Sequence, residues 1–362
     1  MMILGGDIQT VVNLYLIQGL ISAYRFLTER LPKQFAQEIG VLIAAGVLVA
    51  LMASIQLAPT FDWALNSGRL ALDIDQIAPD DFAKHNEQIY QYSVGPWQWL
   101  GAVVPRVCGN LFPINTRWTV LVDGTDQTWT PSLYAGLFPA LCVLLYLFHS
   151  RRENERQDSV GLQGKRLVFG LMIAGLGFSL GGYGIGWLWN SLALTNQLEP
   201  EFGGPYSWLR SLVPGYSGFR YPAKWLVFFG LGLSLCTGEI LYRFRDSDRL
   251  VVGRLCRWYP VATGLVVFSS LLFVYSRLSI APLPIDSFFG PFDYVEFQWI
   301  LAAALLQSVV GCLVVGYCAM SGRISKERFI AIVCWTLAIE MLLSGRSLIG
   351  DVPADNRNKS LF

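Results

Sequence analysis

The chain has 362 residues, of which 53% are hydrophobic and 15% are charged, and its mean hydropathy is +0.44. Because soluble domains carry about 25% charged residues, this composition excludes a water-soluble globular protein. A net charge of +1 without any long basic stripe excludes a nucleic-acid partner as well.

Eight apolar stretches follow one another along the chain, and each has roughly the length that crosses a hydrocarbon core of about 30 Å as a helix. The first is weaker than the others because Asn13, Gln18 and Ser22 interrupt it. The sequence therefore predicts an all-α fold, a polytopic transmembrane helix bundle of about eight spans, forming a single integral membrane domain over residues 1–362. The predicted spans are 8–28, 39–57, 132–149, 167–189, 223–243, 259–277, 298–320 and 328–345.

Lysine and arginine concentrate on alternate links between these stretches. By the positive-inside rule those links are cytoplasmic, so both termini are predicted to lie outside. The external loop 58–131 is acidic by comparison. The basic links contain Arg25, Arg30 and Lys33, then Arg151, Arg152, Arg156, Lys165 and Arg166, then Arg243, Arg245, Arg249, Arg254 and Arg257, then Arg323, Lys326 and Arg328.

Aromatic residues mark one part of the long external loop. Pro96 and Pro105 limit this part to short helices, and Trp97 and Trp99 are typical of headgroup depth. We expect short interfacial helices in segment 96–112 on the outer leaflet. A loop that caps the bundle explains the same residues.

Glycines crowd residues 170–186. The run does not match the dinucleotide-binding fingerprint, because Leu180 stands where a third glycine should be. The spacing of Gly177 with Gly181, and of Gly182 with Gly186, favours close helix packing. A broken helix at Gly181 and Gly182 is the alternative.

Few residues suggest metal or redox chemistry. His85 and His149 are isolated, and the cysteines form no CxxC pair, so we predict no metal site. Glu340 is the acid most plausibly buried within a span, and a single acid is thin support for an ion-coupled transporter.

The strongest local signal is segment 212–225, at the outer mouth of a predicted span. Pro222 suits a first helical turn, whose free N–H groups would face the outer interface beside Arg220 and Lys224. Together with Tyr221, these residues predict a site for a lipid phosphate. Alternatively, the two cations reach to headgroups while Tyr221 and Trp225 belong to an aromatic belt.

Residues 214–224, PGYSGFRYPAK, resemble the "PGF..FRYPAR/K" signature of YfhO-like bacterial membrane proteins, which belong to the GT-C superfamily of glycosyltransferases. Three further elements agree in order. Residues 4–10 are similar to "GGHPQT", residues 56–60 to "QLLPT" and residues 132–139 to "YLGLLPL". At Asp7 and Ile8 the chain departs from the usual His-Pro of the first of these.

The resemblance implies a membrane protein of the bacterial cytoplasmic (inner) membrane that uses a polyprenyl-phosphate-sugar donor. It implies contact with membrane lipids and a polyprenyl-phosphate carrier. It also implies that this sequence is a central and C-terminal portion without the catalytic N-terminal spans, either truncated or from a split gene in which a separate chain supplies those spans. The catalytic carboxylate stays unassigned. The available external candidates, whose polar context is more typical of a solvated loop, are Asp73, Asp75, Asp80 and Asp81.

Two classes of function follow. In the first, a base activates an acceptor hydroxyl that attacks the sugar, while Arg220 and Lys224 stabilise the departing lipid phosphate. In the second, the chain is a non-catalytic membrane scaffold or lipid-binding protein. A transporter ranks third.

Overall fold

A computed structural model describes residues 8–29, 32–52, 89–90, 92–109, 116–117, 133–136, 138–140, 142–143, 159–193, 198–246, 264, 268, 285–286, 290–291, 293–320 and 325–345. These residues are mostly helical, which confirms the helical part of the predicted class. The α-helices are α1 (Ile8–Glu29), α2 (Pro32–Met52), α3 (Ser159–Ser179), α4 (Ile185–Ala193), α5 (Pro205–Leu212), α6 (Leu226–Asp246), α7 (Tyr294–Met320) and α8 (Lys326–Gly345).

Short 3₁₀ helices and one small ladder complete the described structure. The 3₁₀ helices are Pro96–Ala102, Tyr216–Gly218 and Pro222–Trp225. Strands β1 (Ile285–Asp286) and β2 (Gly290–Pro291) pair antiparallel, with Ile285 opposite Pro291.

The chain divides into two compact units, each built from two separate stretches. Unit 1 comprises Met1–Val94 and Gln163–Phe229, and unit 2 comprises Gly95–Leu162 and Gly230–Phe362. The single membrane domain over residues 1–362 stays a prediction.

The core of unit 1 is rich in aromatic side chains. It buries Tyr206 from α5, Tyr216 from a 3₁₀ turn and Trp225 at the entrance to α6, together with Ile17 of α1 and Leu171 of α3. Large rings dominate because each buries a wide apolar area while its polar atom finds a hydrogen bond. Helices α1 and α3 and the stretch from α5 to the start of α6 are thereby held around one cluster.

The predicted span 167–189 is not one continuous helix. Helix α3 ends at Ser179 and α4 begins at Ile185. Gly181 lies between them with φ +54°, a conformation that residues with a side chain rarely adopt. The Gly182 N–H donates to Ser93 Oγ at 2.9 Å, and the Val94 N–H donates to the Ser179 carbonyl at 2.9 Å. The broken-helix alternative is therefore correct at this point.

Glycine allows close packing at two of the predicted residues, since a Cβ at Gly186 would lie 2.0 Å from Glu199 O and one at Gly181 would lie 2.8 Å from Pro222. On α3 itself the close approach is at Gly175. A Cβ at Gly175 would lie 2.4 Å from Phe229 N and 2.9 Å from Trp225 O, whereas one at Gly177 would make an ordinary contact of 3.5 Å with Pro205. The absence of a side chain at Gly175 thus lets the backbone of α3 lie directly against the backbone at the start of α6.

In unit 2, α7 and α8 pack against each other around a buried acid. The Tyr134 hydroxyl donates to Glu340 Oε2 at 3.0 Å, and Gln307 Nε2 donates to the Glu340 carbonyl at 3.0 Å. A notch at Gly311 of α7 receives the Glu340 carboxyl group. The carboxyl group is therefore held by a neighbouring hydroxyl and helix surface.

The predicted helix in the long loop is present as the 3₁₀ helix Pro96–Ala102. Its Trp97 is 7% exposed and packs against Gly95, so this indole is enclosed by protein. The prediction that Trp97 anchors the helix at headgroup depth is wrong for that residue, because the ring already fills a protein site. Trp99 is half-buried.

Within the described part of the chain, one helix, Pro222–Tyr242, is long and apolar enough to cross a membrane by length and composition. Arg166–Ser179 and Val295–Gly311 are shorter apolar helices. Helices α1, α2, α6, α7 and α8 overlap predicted spans, although α2 begins at Pro32 rather than residue 39. Most of the predicted spans 132–149 and 259–277 lie outside the described residues.

Candidate functional site

The predicted site residues fall into two groups with different outcomes. Asp73, Asp75, Asp80 and Asp81 lie outside the described residues, as do His85 and His149. Arg220, Tyr221 and Lys224 are described, and all three are half-buried. The candidate site is therefore built from the second group.

Local turns position these three residues at the entrance to α6. Gly215 has φ +76°, which lets the chain turn into the 3₁₀ helix Tyr216–Gly218. Tyr221 then precedes the 3₁₀ helix Pro222–Trp225, where Pro222 stands at the first position as the sequence predicted. Leu226 continues this turn into α6.

The N–H groups of that first turn are not available to an anion. The Ala223 N–H donates to the Tyr92 carbonyl at 3.2 Å, and the Lys224 N–H donates to the Tyr221 carbonyl at 3.0 Å. Proline has no N–H, so Pro222 offers no donor either. The prediction of free N–H groups at this helix start is wrong, because a neighbouring turn and the 3₁₀ geometry satisfy them. Any phosphate bound here is held by side chains.

Aromatic contacts organise the side chains of the site. The Lys224 ammonium lies 5.0 Å from the centre of the Tyr221 ring, within cation–π range. The Tyr221 ring also stacks on Tyr92, with centroids 4.8 Å apart and an interplanar angle of 23°. Tyr221 thus acts as a fixed platform beside the Lys224 charge.

A hydrogen bond joins this segment to the beginning of α1. Gln9 is 3% exposed, and its Nε2 donates to the Tyr221 carbonyl at 2.9 Å. Gln9 belongs to residues 4–10 and Tyr221 to residues 214–224, so two elements quoted for the family resemblance meet in space. The Gln9 Oε1 atom is buried without a hydrogen-bond partner among the described residues.

A second polar connection lies in the core of unit 1. The Trp225 Nε1–H donates to the Tyr216 hydroxyl at 2.7 Å, and this hydroxyl donates to Asn13 Oδ1 at 2.7 Å. Asn13 is fully buried on α1, one helical turn beyond Gln9. Two amide side chains of α1 therefore hold the turn that carries Arg220 and Lys224.

Sequence reasoning missed this network. The sequence identifies Asn13 only as a polar residue within an apolar stretch and Tyr216 only as part of segment 214–224, and it predicts no hydrogen bond between them. The signal that could have found them is the spacing of Gln9 and Asn13, which places two amides on one helix face beside apolar neighbours.

A further cation lies close by in unit 1. Arg210, half-buried at the end of α5, hydrogen-bonds to Tyr90. Burial raises the pKa of the Tyr90 hydroxyl, and Arg210 partly opposes that rise. Burial also raises the pKa values of Tyr206 and Tyr216 well above the ordinary range. All three hydroxyls are therefore neutral near neutral pH and act as hydrogen-bond donors and acceptors, not as bases.

The side chains that commonly bind metal ions do not cluster among the described residues. Across the part of the chain that the structure describes, no group of three or more histidine, cysteine, aspartate or glutamate side chains could hold a metal ion. The cations Arg220 and Lys224 can attract an anion and donate hydrogen bonds to it, and the rings of Tyr92 and Tyr221 provide an aromatic surface beside them. No family model, curated protein or solved structure matches the chain.

Proposed function

We propose that this chain is a polytopic protein of the bacterial cytoplasmic membrane, with about eight spans, that handles polyprenyl-phosphate-linked sugars at the outer face as a GT-C, YfhO-type glycosyltransferase. Arg220 and Lys224 bind the lipid phosphate, and Tyr221 supports the Lys224 ammonium. The observation that carries the proposal is the Gln9–Tyr221 hydrogen bond. It joins two separate elements of the family resemblance at the turn formed by residues 220–225, which carries Arg220 and Lys224 and is called the cationic turn below.

Exposed apolar side chains support the membrane setting. Large hydrophobic residues on α2, α6, α7 and α8 are exposed, and exposed apolar surface of this extent is typical of contact with lipid or a partner. Examples are Val41, Leu48, Val227, Leu313, Trp335 and Leu342. The candidate span Pro222–Tyr242 begins at the cationic turn, and this supports a position for the turn at the end of a span.

The cationic turn suits a departing lipid phosphate. In an inverting transfer, a base removes the proton of an acceptor hydroxyl, whose oxygen attacks the anomeric carbon as the bond to the lipid phosphate breaks. The phosphate gains negative charge in that step, and a guanidinium and an ammonium held in place stabilise it. The base is one of the loop carboxylates Asp73, Asp75, Asp80 and Asp81, or belongs to a separate chain.

Binding of a short-chain polyprenyl-phosphate analogue tests the proposal. The double variant Arg220→Gln with Lys224→Gln is expected to bind the analogue about tenfold or more weakly, since the loss of one charge-assisted contact of about 1.5–3 kcal/mol alone lowers affinity by at least about that factor. Lys33→Gln is the matched control, because Lys33 is an exposed cation at the start of α2. It should bind the analogue as the unaltered protein does.

The outcome of this experiment separates the two classes of function. Unchanged binding in a folded double variant would contradict the proposal and leave the two cations as interfacial anchors. Weakened binding, in a protein that transfers no sugar from a polyprenyl-phosphate-sugar donor, would instead identify a lipid-binding scaffold.

A further inference from the structure

Helices α1 and α2 enclose a groove of about 710 Å³ within unit 1. One end of the groove is polar and is lined by Arg25, Gln34, Gln37 and Glu38. The other end is apolar and is lined by Leu14 and Val41, among others. A groove with a polar and an apolar end matches an amphipathic ligand.

The polar end contains a close ion pair with unused bonding capacity. Arg25 Nη1 lies 2.8 Å from Glu38 Oε1. The second carboxylate oxygen, Glu38 Oε2, is buried and has no hydrogen-bond partner among the described residues. The Arg25 side chain is 55% exposed, so its remaining N–H groups are open to a ligand.

These two groups together define the charge pattern of the ligand. A buried carboxylate oxygen without a donor favours a cationic N–H group, and a guanidinium favours a phosphate. Because Arg25 and Glu38 are adjacent, the ligand must carry both charges within one small headgroup. The amides of Gln34 and Gln37 supply further donors and acceptors around it.

We propose that this groove binds a phospholipid with a primary ammonium headgroup, of the phosphatidylethanolamine class. The ammonium pairs with the Glu38 carboxylate, whose side chain is 29% exposed, the phosphate accepts from Arg25, and an acyl chain lies against Leu14 and Val41. Both apolar residues are largely exposed, 49% and 68%, as expected of a surface that lipid covers.

This site is separate from the cationic turn. Arg25 lies sixteen residues beyond Gln9 on α1, which corresponds to about 24 Å along the helix axis. The headgroup end is therefore close to the leaflet opposite the one that holds Arg220 and Lys224. The proposal goes beyond the proposed function and requires only the membrane setting.

Lipid binding to the purified full chain in an uncharged maltoside detergent tests the proposal, with bound lipid counted by native mass spectrometry. Phosphatidylethanolamine and its N-methyl, N,N-dimethyl and trimethyl (phosphatidylcholine) derivatives keep the positive charge while N–H donors are removed one by one. We expect affinity to fall along this series, by about tenfold from the first lipid to the last.

Variants assign the preference to the two charged residues. Glu38→Gln is expected to reduce the preference for phosphatidylethanolamine over phosphatidylcholine to about twofold or less, because the carboxylate acceptor is lost. Arg25→Gln should lower the affinity for both lipids about equally, since both lipids carry the phosphate. Lys33→Gln, an exposed cation on the same helix as Glu38, is the control and should keep the full preference.

Equal affinity of the unaltered protein for all four lipids would overturn the proposal, and this result requires no variant. An undiminished preference in a folded Glu38→Gln protein would overturn it too. The double variant Arg220→Gln with Lys224→Gln should keep the phosphatidylethanolamine preference, so the failure of one site is distinguishable from the failure of the other.

Discussion

At the residue scale, the most informative side chains are the buried amides of α1. Asn13 and Gln9 are two of the polar residues of a largely apolar helix, and each forms a hydrogen bond to a segment more than two hundred residues away in sequence. Burying an amide without a partner costs free energy, so a polar residue in an apolar helix face requires a partner in the fold. Here the partners are Tyr216, in the 3₁₀ helix before the cationic turn, and Tyr221, within it.

Removal of the Tyr216 hydroxyl should destabilise unit 1. Tyr216→Phe leaves the Trp225 indole N–H without an acceptor and Asn13 Oδ1 without a donor, and each buried unpaired group costs about 1–3 kcal/mol. Tyr206→Phe is the comparison variant, since the Tyr206 hydroxyl donates to the Phe219 carbonyl at a longer distance of 3.3 Å. Unfolding in mixed detergent micelles measures the stability of both variants. An equal loss in the free energy of unfolding would contradict a stabilising role for the Asn13–Tyr216–Trp225 hydrogen bonds.

The same tyrosines predict a loss of stability at high pH. Burial raises the pKa values of Tyr206 and Tyr216 above the ordinary tyrosine value of about 10. Above that value the unfolded chain releases protons that the folded protein keeps, so the free energy of unfolding falls as pH rises. Their contribution should be constant below about pH 10 and decline above it. Unfolding measured across this range, with Tyr216→Phe showing a shallower decline, checks the prediction.

At the element scale, the junctions between helices distinguish this fold from a row of simple spans. Helix α3 stops at Ser179, and the backbone N–H groups that begin α4 are taken by residues 200–202: Gly184 and Trp187 donate to the Pro200 carbonyl, and Gly186 donates to the Phe202 carbonyl. A loop that supplies acceptors in this way ends one helix and starts another without leaving donors unpaired. The cationic turn is organised by the same means, through the Tyr92 carbonyl.

A single methyl group on α3 should separate it from α6. Gly175→Ala places a Cβ 2.4 Å from Phe229 N and 2.9 Å from Trp225 O, and backbone cannot move aside as a side chain can. We expect a loss of about 1–3 kcal/mol in the free energy of unfolding, typical of overpacking. Gly170→Ala is the control on the same helix, since a Cβ there meets nothing within 4 Å. It should leave stability unchanged or raise it slightly, and similar losses in both variants would refute the close approach.

Much of the element order could be predicted from sequence, and the contacts could not. Apolar runs of helical length locate α1, α6, α7 and α8 because each helix carries its own periodicity and length. A break near Gly181 and Gly182 was one of two alternatives that the sequence allowed. The contacts of this break with Ser93, Pro200 and Phe202 follow from no local pattern. The Arg220–Lys224 turn was found from its charges and Pro222, whereas its supports on α1 depend on long-range packing.

At the scale of the whole molecule, the proposed membrane setting rests on the distribution of charge and of exposed apolar residues. Outward-facing residues on α2 and α7 are large and apolar, whereas the cations Arg25 and Lys33 flank the link between α1 and α2. Since cytoplasmic links attract lysine and arginine, this link is predicted inside and the Arg220–Lys224 turn outside. The length of α1 between the two is close to the thickness of a hydrocarbon core.

Labelling of single cysteines tests this orientation directly. In a background with the native cysteines replaced, Leu212→Cys introduces a thiol at a residue 78% exposed on the predicted outer side, and Lys33→Cys introduces one at an exposed residue on the predicted inner side. An impermeant thiol reagent should label the Leu212 variant in intact cells and the Lys33 variant only after permeabilisation, because the bilayer shields the inner link. Labelling of the Lys33 variant in intact cells would reverse the orientation, place the cationic turn on the cytoplasmic side and remove the basis for lipid-phosphate binding at the outer face.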